Sequence, residues 1–415
     1  MNVSSHTAGP PLVERMDRLF QEGIARRAEE ADRQGRIPPE NWKDIIDSGY
    51  LRLFHPREVG GLGADGRTQA MAMESLARAC GGTYWSATMS TLLGGKLIST
   101  YGGPEHHGRL LAPLLSGERL ACFAVVERTS GSDAGGYKTL VRRKDGGYVI
   151  RGEKARITNA PVADTAVVLS RLQASPGDAE PGWCLAFVDL RQEGVSRFTL
   201  QGTGLRAMPW GGLVFEDAHV LEQDVIPVDF KEFAEGMAWG WLFISLSSIA
   251  IAESALQASL RHASEQHAFG RPLGHLQGVH AQLAEMRAEV DAARLLAWKA
   301  AWHRAGGRSA WELIAMLKAH ATEMAVRVTQ QAVQIHGSWG LTRDHLIERL
   351  SRDAPMNVIG GFASNRLREL VAAPLAGVEP SSYEPFDWLS PAGLARDLGE
   401  APGVSLLRAP AGGLG

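Results

Sequence analysis

The residues best suited to chemistry fall in four short segments. In Val126-Glu127-Arg128-Thr129-Ser130-Gly131-Ser132-Asp133, a glycine permits close backbone approach and Ser132 offers a hydroxyl and an N–H. Such a loop can cradle a phosphate or a flavin edge, and it can equally be a surface turn. The second segment is Gly152-Glu153-Lys154-Ala155-Arg156-Ile157-Thr158-Asn159-Ala160, and the third is Phe269-Gly270-Arg271-Pro272-Leu273 with Gln277. The fourth is Gln334-Ile335-His336-Gly337-Ser338-Trp339-Gly340, ahead of Arg352-Asp353-Ala354.

The elements that must position these segments can be read from pattern. The 415 residues are 45% hydrophobic and 21% charged, which excludes a disordered or collagen-like chain. With 43 basic against 46 acidic side chains the net charge is −3, and no long basic run occurs, so no nucleic-acid partner is expected. Cys80, Cys122 and Cys184 lie far apart in no metal-ligand spacing, which argues against disulfides and a metal site and suits a cytoplasmic location. Met1 to Pro11 lacks a signal-peptide pattern, and Leu242 to Leu256, with four serines and Glu253, is too short to span a bilayer, so no membrane is expected.

Val13, Met16, Phe20 and Ile24 share one helical face and open an α-helical domain over 1–117, in which Gly102-Gly103-Pro104 ends one helix and starts another. A middle β domain follows over 118–229. There Asp145-Gly146 predicts a hairpin within Thr139 to Ile150, with further strands at Thr165 to Ser170, Trp183 to Leu190, Ser196 to Leu200 and Leu213 to Val220. Helical periodicity returns over 230–378, with seams at Leu276, Val279, Leu283, Met286, Val290, Ala293 and Ala297 and at Met324, Val328, Ala332 and Ile335. Antiparallel packing of such helices gives a four-helix bundle. Residues 379–415 form a Pro- and Gly-rich tail, expected to be loosely held.

In order and separation, together with Leu53-Phe54-His55-Pro56-Arg57-Glu58-Val59-Gly60-Gly61-Leu62-Gly63, these segments closely resemble the acyl-CoA dehydrogenase superfamily from about Pro11 to Pro374. The resemblance implies an α+β fold of N-terminal helical domain, middle β domain and C-terminal four-helix bundle. It also implies FAD, and a homotetramer or dimer of dimers in which a neighbouring subunit completes the cofactor site. Carried over by position, Phe123, Val125 and Val126 with Gly131 and Ser132 would face the flavin ring and pyrophosphate, and Thr158 would reach the reactive N5/O4 edge. Phe269, Gln277, Gln334 and Gly337 would make intersubunit adenine and pyrophosphate contacts.

The departures from the family concern the reaction. There, a glutamate removes the α-proton of an acyl thioester while hydride passes to the flavin. One glutamate position lies nine residues after Arg352 and is here Gly361; the other lies 26 residues before Gln266 and is here Gly240. The arginine that follows the second position is Trp241. A pyrophosphate-binding arginine is Gln266, with His267 and Arg271 as nearby cations, and a flavin-binding threonine is Val126. The aromatic residue that covers the ring is Arg156, whose guanidinium could stack there or point to solvent. Phe362 and Ala363 replace a glycine-threonine pair, so that Phe362 would intrude where adenosine or substrate passes.

Three functions fit. The first is an acyl-thioester oxidoreductase of specialised metabolism, acting on a CoA or acyl-carrier-protein substrate, with the base relocated to Glu127, Asp133 or His336; for each of these a structural role is the competing reading. The second is a flavin-dependent monooxygenase, which needs no glutamate. The third is a non-catalytic scaffold, or a silent partner subunit of a heteromer, with a degenerate FAD site.

Overall fold

A computed structural model describes residues 9–132, 136–144, 146–173, 182–305 and 310–375. The 379–415 tail and Asp133 lie outside the described residues. The N-terminal helices are α1 (Gly9–Leu19), α2 (Ala25–Gln34), α3 (Pro39–Ser48), α4 (Gly66–Ala79), α5 (Gly81–Thr88), α6 (Lys96–Tyr101), α7 (Pro104–His106) and α8 (Ala112–Ser116). A π-helical turn, Phe20–Ile24, joins α1 to α2, and Met16, Phe20 and Ile24 are fully buried on the face their spacing predicts. Asp65 caps α4 by accepting from the Thr68 amide at 2.7 Å, and Pro104 starts α7 after Gly103.

The middle domain is a mainly antiparallel sheet of β1 (Ala121–Ala124), β2 (Leu140–Lys144), β3 (Gly147–Thr158), β4 (Thr165–Leu172), β5 (Gly182–Asp189), β6 (Val195–Thr199), β7 (Trp210–Val220) and β8 (Val225–Val228). Its order is β6-β7-β3-β2-β4-β5-β8, with β1 parallel to β4. The predicted hairpin is β2–β3, closing on the pair Lys144 and Gly147 with Gly146 at φ +81°. The strands β1 and β8 have no counterpart among the expected ones. Each is four residues long, too short to show a pattern of its own.

The bundle begins with α9 (Phe230–Glu265), followed by the short pair β9 (His267–Ala268) and β10 (Arg271–Pro272). Then come α10 (Gln277–Ala305), α11 (Trp311–His336), α12 (Leu346–Ile359) and α13 (Ser364–Leu375). Met286, Val290, Ala293 and Ala297 of α10 and Met324, Val328 and Ala332 of α11 are fully buried, as their seams predict. The apolar run Leu242 to Leu256 belongs to a longer helix than its composition marks out. Over Ala238–Glu265 that helix is long and apolar enough to cross a membrane, but 83% of its most apolar window is buried inside the protein. It is the central helix of the bundle, packing on α11, α10, α12 and α4.

Candidate active site

The loop after β1 is held from below by a buried charge. Lys154 of β3 has no exposed surface, and its Nζ donates to the Val125 carbonyl at 2.6 Å and to Glu127 Oε1 at 3.1 Å. It also lies 4.7 Å from the centre of the Tyr137 ring. Burial pushes the Lys154 pKa down to about 8, with Glu127 opposing the shift. The Glu127 carboxylate also accepts from the amides of Lys138 at 2.8 Å and Thr139 at 2.9 Å. Burial favours its neutral form, but the Lys154 charge and those hydrogen bonds outweigh it and hold the pKa below the ordinary glutamate value. Tyr137 donates to the Gly131 carbonyl at 2.6 Å and fixes the far side of the loop. Glu127 is therefore the keystone of the loop, its two oxygens accepting three hydrogen bonds from the fold. This overturns its candidacy as base.

Phe123 and Val125 are buried, Val126, Gly131 and Ser132 are half-buried, and among the described residues nothing lies within 4 Å of where a Cβ on Gly131 would sit. The middle of the loop is thus open to a ligand. Thr158 ends β3 almost fully buried, and its hydroxyl meets only the Met208 sulfur at 3.4 Å among its described contacts. A thioether is a weak acceptor, so the hydroxyl is available to a cofactor atom. Next to it, Asn159 sits at φ +70° with no exposed surface. Its amide donates to the carbonyls of Ser86 at 2.9 Å and Ala121 at 3.0 Å, locking α5, β1 and the end of β3 together.

Arg156 lies at a β-bulge, φ +61°, where the β3–β7 register shifts. Its guanidinium donates to the backbone carbonyls of Glu127 and Arg128, so the side chain is folded along the loop.

The opposite wall is built by the bundle. Beyond α12 the chain turns through Gly361 at φ +60° and Phe362 at φ +76°. Lys318 of α11, fully buried, holds this turn by donating to the carbonyls of Val358 at 2.8 Å and Phe362 at 2.7 Å, and burial pushes its pKa down to about 7. A Cβ on Gly361 would stand 2.6 Å from Ile244 Cδ1 and 3.6 Å from Trp241 Cδ1. The first base position is therefore occupied by neighbouring side chains. At Gly240, a Cβ would make ordinary contact with Leu93 at 3.5 Å. Phe362 is 9% exposed and meets the Trp241 ring edge-on with centres 6.3 Å apart. Its ring packs into the bundle against Trp241, where the sequence predicts an intrusion on the adenosine or substrate passage.

His336 is no base for this site. It packs between His262, stacked at 4.2 Å, and His345 at 4.9 Å, and its Nδ1 pairs with the Ala332 carbonyl. His345 caps the start of α12, whereas Gly361 follows its end; the 14-residue helix between sets the two about 20 Å apart. Burial lowers the His336 pKa to about 4, which marks a neutral packing residue.

The intersubunit candidates face outward from the bundle. Gln266, Gln277, Gln334 and Gly337 are exposed, and Phe269 is 90% exposed at the tip of the β9–β10 turn, where it and Gly270 both have positive φ. The open backbone at Gly131 and the Thr158 hydroxyl, which meets only a thioether among its described contacts, fit the polar edge of a flavin nucleotide. Lys154, Tyr137 and Lys318 were missed as site-shaping residues. For Lys154, the signal was a lysine in register with the inward-facing positions of a strand.

Comparison with known proteins agrees with this architecture. Family models match in turn: acyl-CoA dehydrogenase N-terminal domain at 11–118, middle domain at 122–218 and C-terminal domain at 230–376. The chain is 33% identical over 356 residues to the short-chain specific acyl-CoA dehydrogenase of Clostridium acetobutylicum, covering 84% of this chain and 93% of that one. It is 31% identical over 371 residues to the 3-(aryl)acrylate reductase of Clostridium sporogenes, covering 88% and 97%. A solved glutaryl-CoA dehydrogenase of Mycobacterium smegmatis in complex with FADH2 shares the fold, with TM-score 0.84 and 19% identity over 90% of this chain and 95% of that one. The chain belongs to the acyl-CoA dehydrogenase family, whose members are flavoprotein oxidoreductases that bind FAD.

Proposed function

We propose that this protein is an FAD-dependent oxidoreductase of acyl thioesters, bound to CoA or an acyl carrier protein in specialised metabolism, that works without a carboxylate at either customary base position. The observation behind this reading is the pairing of the retained Gly131, Ser132 and Thr158 on the cofactor face with glycine at both 240 and 361. When bound, FAD supplies a two-electron acceptor or donor. The Thr158 hydroxyl would donate to its reactive edge, and the open Gly131–Ser132 backbone would receive its phosphates. The outward Phe269, Gln277, Gln334 and Gly337 would serve the cofactor of a second subunit, so the assembly is a dimer or tetramer. An apolar stripe of Leu295, Trp298 and Trp302 on α10, each at least 50% exposed, supports that assembly.

With no carboxylate at position 240 or 361 to take the α-proton, exchange at that carbon falls to solvent. The chemistry least hindered is then addition to an acyl group that is already unsaturated, as in the arylacrylate reductase relative. The test is anaerobic mixing of the FAD-loaded protein with matched thioesters. Reoxidation of the reduced protein by an enoyl thioester should far outpace bleaching of the oxidised protein by its saturated counterpart; rapid bleaching would refute the proposal.

The packed Gly361 position and Gln266 in place of an arginine favour a second reading, a partner subunit with a degenerate FAD site. Protein that purifies colourless and takes up no added FAD would establish it and overturn the first.

A further inference from the structure

A cavity of about 900 Å³ opens where four stretches of chain meet: the α2–α3 corner with Trp42, residues 117–120 after α8, the 161–164 turn after β3, and 199–210 between β6 and β7. Its size falls within the roughly 300–1,000 Å³ of small-molecule sites. Local ties build it. Gly35, at φ +64°, brings the α2–α3 corner against the β6–β7 loop, where a Cβ would stand 3.7 Å from the Arg206 carbonyl. Across the cavity, Asp164 Oδ2 accepts from the Leu120 amide at 3.0 Å. None of Phe123, Val125, Gly131, Ser132 and Thr158 lines this space, but Met208, whose sulfur the Thr158 hydroxyl meets, does. The cavity adjoins the cofactor face without being part of it.

Its walls carry more cations than they pair. Arg33 is matched by Glu30, and Asp32 by Arg352 at 2.7 Å. Arg36 donates only to Gln34, at 2.8 Å, and Arg119 and Arg206, both half-buried, have neither an ion pair nor a side-chain hydrogen bond among the described residues. Against these three arginines stand Asp164, already engaged, and the exposed Glu118. The half-buried indoles of Trp42 and Trp210 belong to the same walls. We propose that this cavity binds a mononucleotide, an aromatic ring carrying a phosphate monoester. A guanidinium fork matches paired phosphate oxygens, and a phosphate has terminal oxygens enough for two forks, whereas one fork fills a carboxylate. Indole surfaces take a flat ring by offset stacking or edge contact. The site stands apart from the acyl-thioester reading and does not depend on it.

The probe is AMP, titrated calorimetrically into the protein with FAD kept saturating, so that the adenosine end of the cofactor site is closed to it. AMP should bind, and adenosine and inorganic phosphate, each bringing half of the recognition, should bind at least about tenfold more weakly. Arg119→Gln and Arg206→Gln should each weaken AMP roughly tenfold and leave the circular dichroism spectrum unchanged. Val162→Glu alters a lining residue that is 51% exposed, adds a negative charge without disturbing the core, and should weaken AMP as well. That variant carries the test if an arginine replacement does not fold. Absence of AMP binding at millimolar concentration, or the same affinity in the native protein and every folded variant, would overturn the inference. Equal affinity for AMP and inorganic phosphate would also overturn it, because the ring would then contribute nothing.

Discussion

The two walls of the candidate site have diverged by different amounts. On the β-domain wall the scaffolding is closed: Lys154, Glu127 and Tyr137 tie the Val125–Gly131 loop with paired charge and hydrogen bonds, and Asn159 welds it to α5. On the bundle wall, the carboxylates are gone at Gly240 and Gly361, and at Gly361 an apolar side chain takes the space. Only the framework of that wall, the Lys318 clamp on the turn after α12, has the same closed character. The difference is one of framework: the β-domain wall keeps its buried ties although Val126 and Arg156 depart on its surface, while the bundle wall has lost its carboxylates.

The sharpest way to break the comparison is Lys154→Met. It strands the Glu127 carboxylate in the interior, and such removals cost about 3–5 kcal/mol. Denaturant unfolding should show that loss together with loss of FAD retention; a small effect would mean the loop is not held as described.

His336 tests whether the far end of α12 is mere packing. Its folded pKa, about 4, lies below the unfolded value of 6.5, so the fold excludes the proton. The stability it contributes is full above pH 6.5 and is lost as pH falls toward 4, on the order of 3 kcal/mol in total. Urea midpoints across that range should fall in the native protein and fall less in His336→Leu.

Gly361→Glu should cost about 1–3 kcal/mol, from the collision with Ile244 and the left-handed backbone. Gly240→Glu, facing Leu93 at ordinary contact distance, should fold more readily. Melting temperatures of the pair, with Ile244→Ala added to the first, resolve the steric share. Smallest of all, Arg156→Ala should change stability by under about 0.5 kcal/mol and leave the flavin spectrum in place, since the guanidinium lies on the loop backbone. A clear spectral shift would show that the arginine stacks on the ring instead.

Much of the fold was legible in the sequence because periodicity and turn chemistry are local. The faces of α1, α10 and α11 and the β2–β3 hairpin followed from spacing alone. Other features depend on contacts distant in the chain. Whether Glu127 is a base or a keystone is decided by Lys154, 27 residues on, and the fate of Phe362 by Trp241 and Lys318. The vacancy at 240 and 361 could be counted in sequence. That one vacancy is packed shut and the other merely apolar could not, because close approach of Ile244 leaves no local signature.

The account turns on the missing carboxylate at positions 240 and 361 in a chain of an FAD-binding family. Its most direct test is hydrogen exchange. A saturated acyl thioester is incubated with the FAD-loaded protein in deuterated buffer, and deuterium at the α-carbon is read by mass spectrometry. The native protein should exchange no faster than buffer, whereas Gly240→Glu should accelerate it; rapid exchange by the native protein would contradict the account.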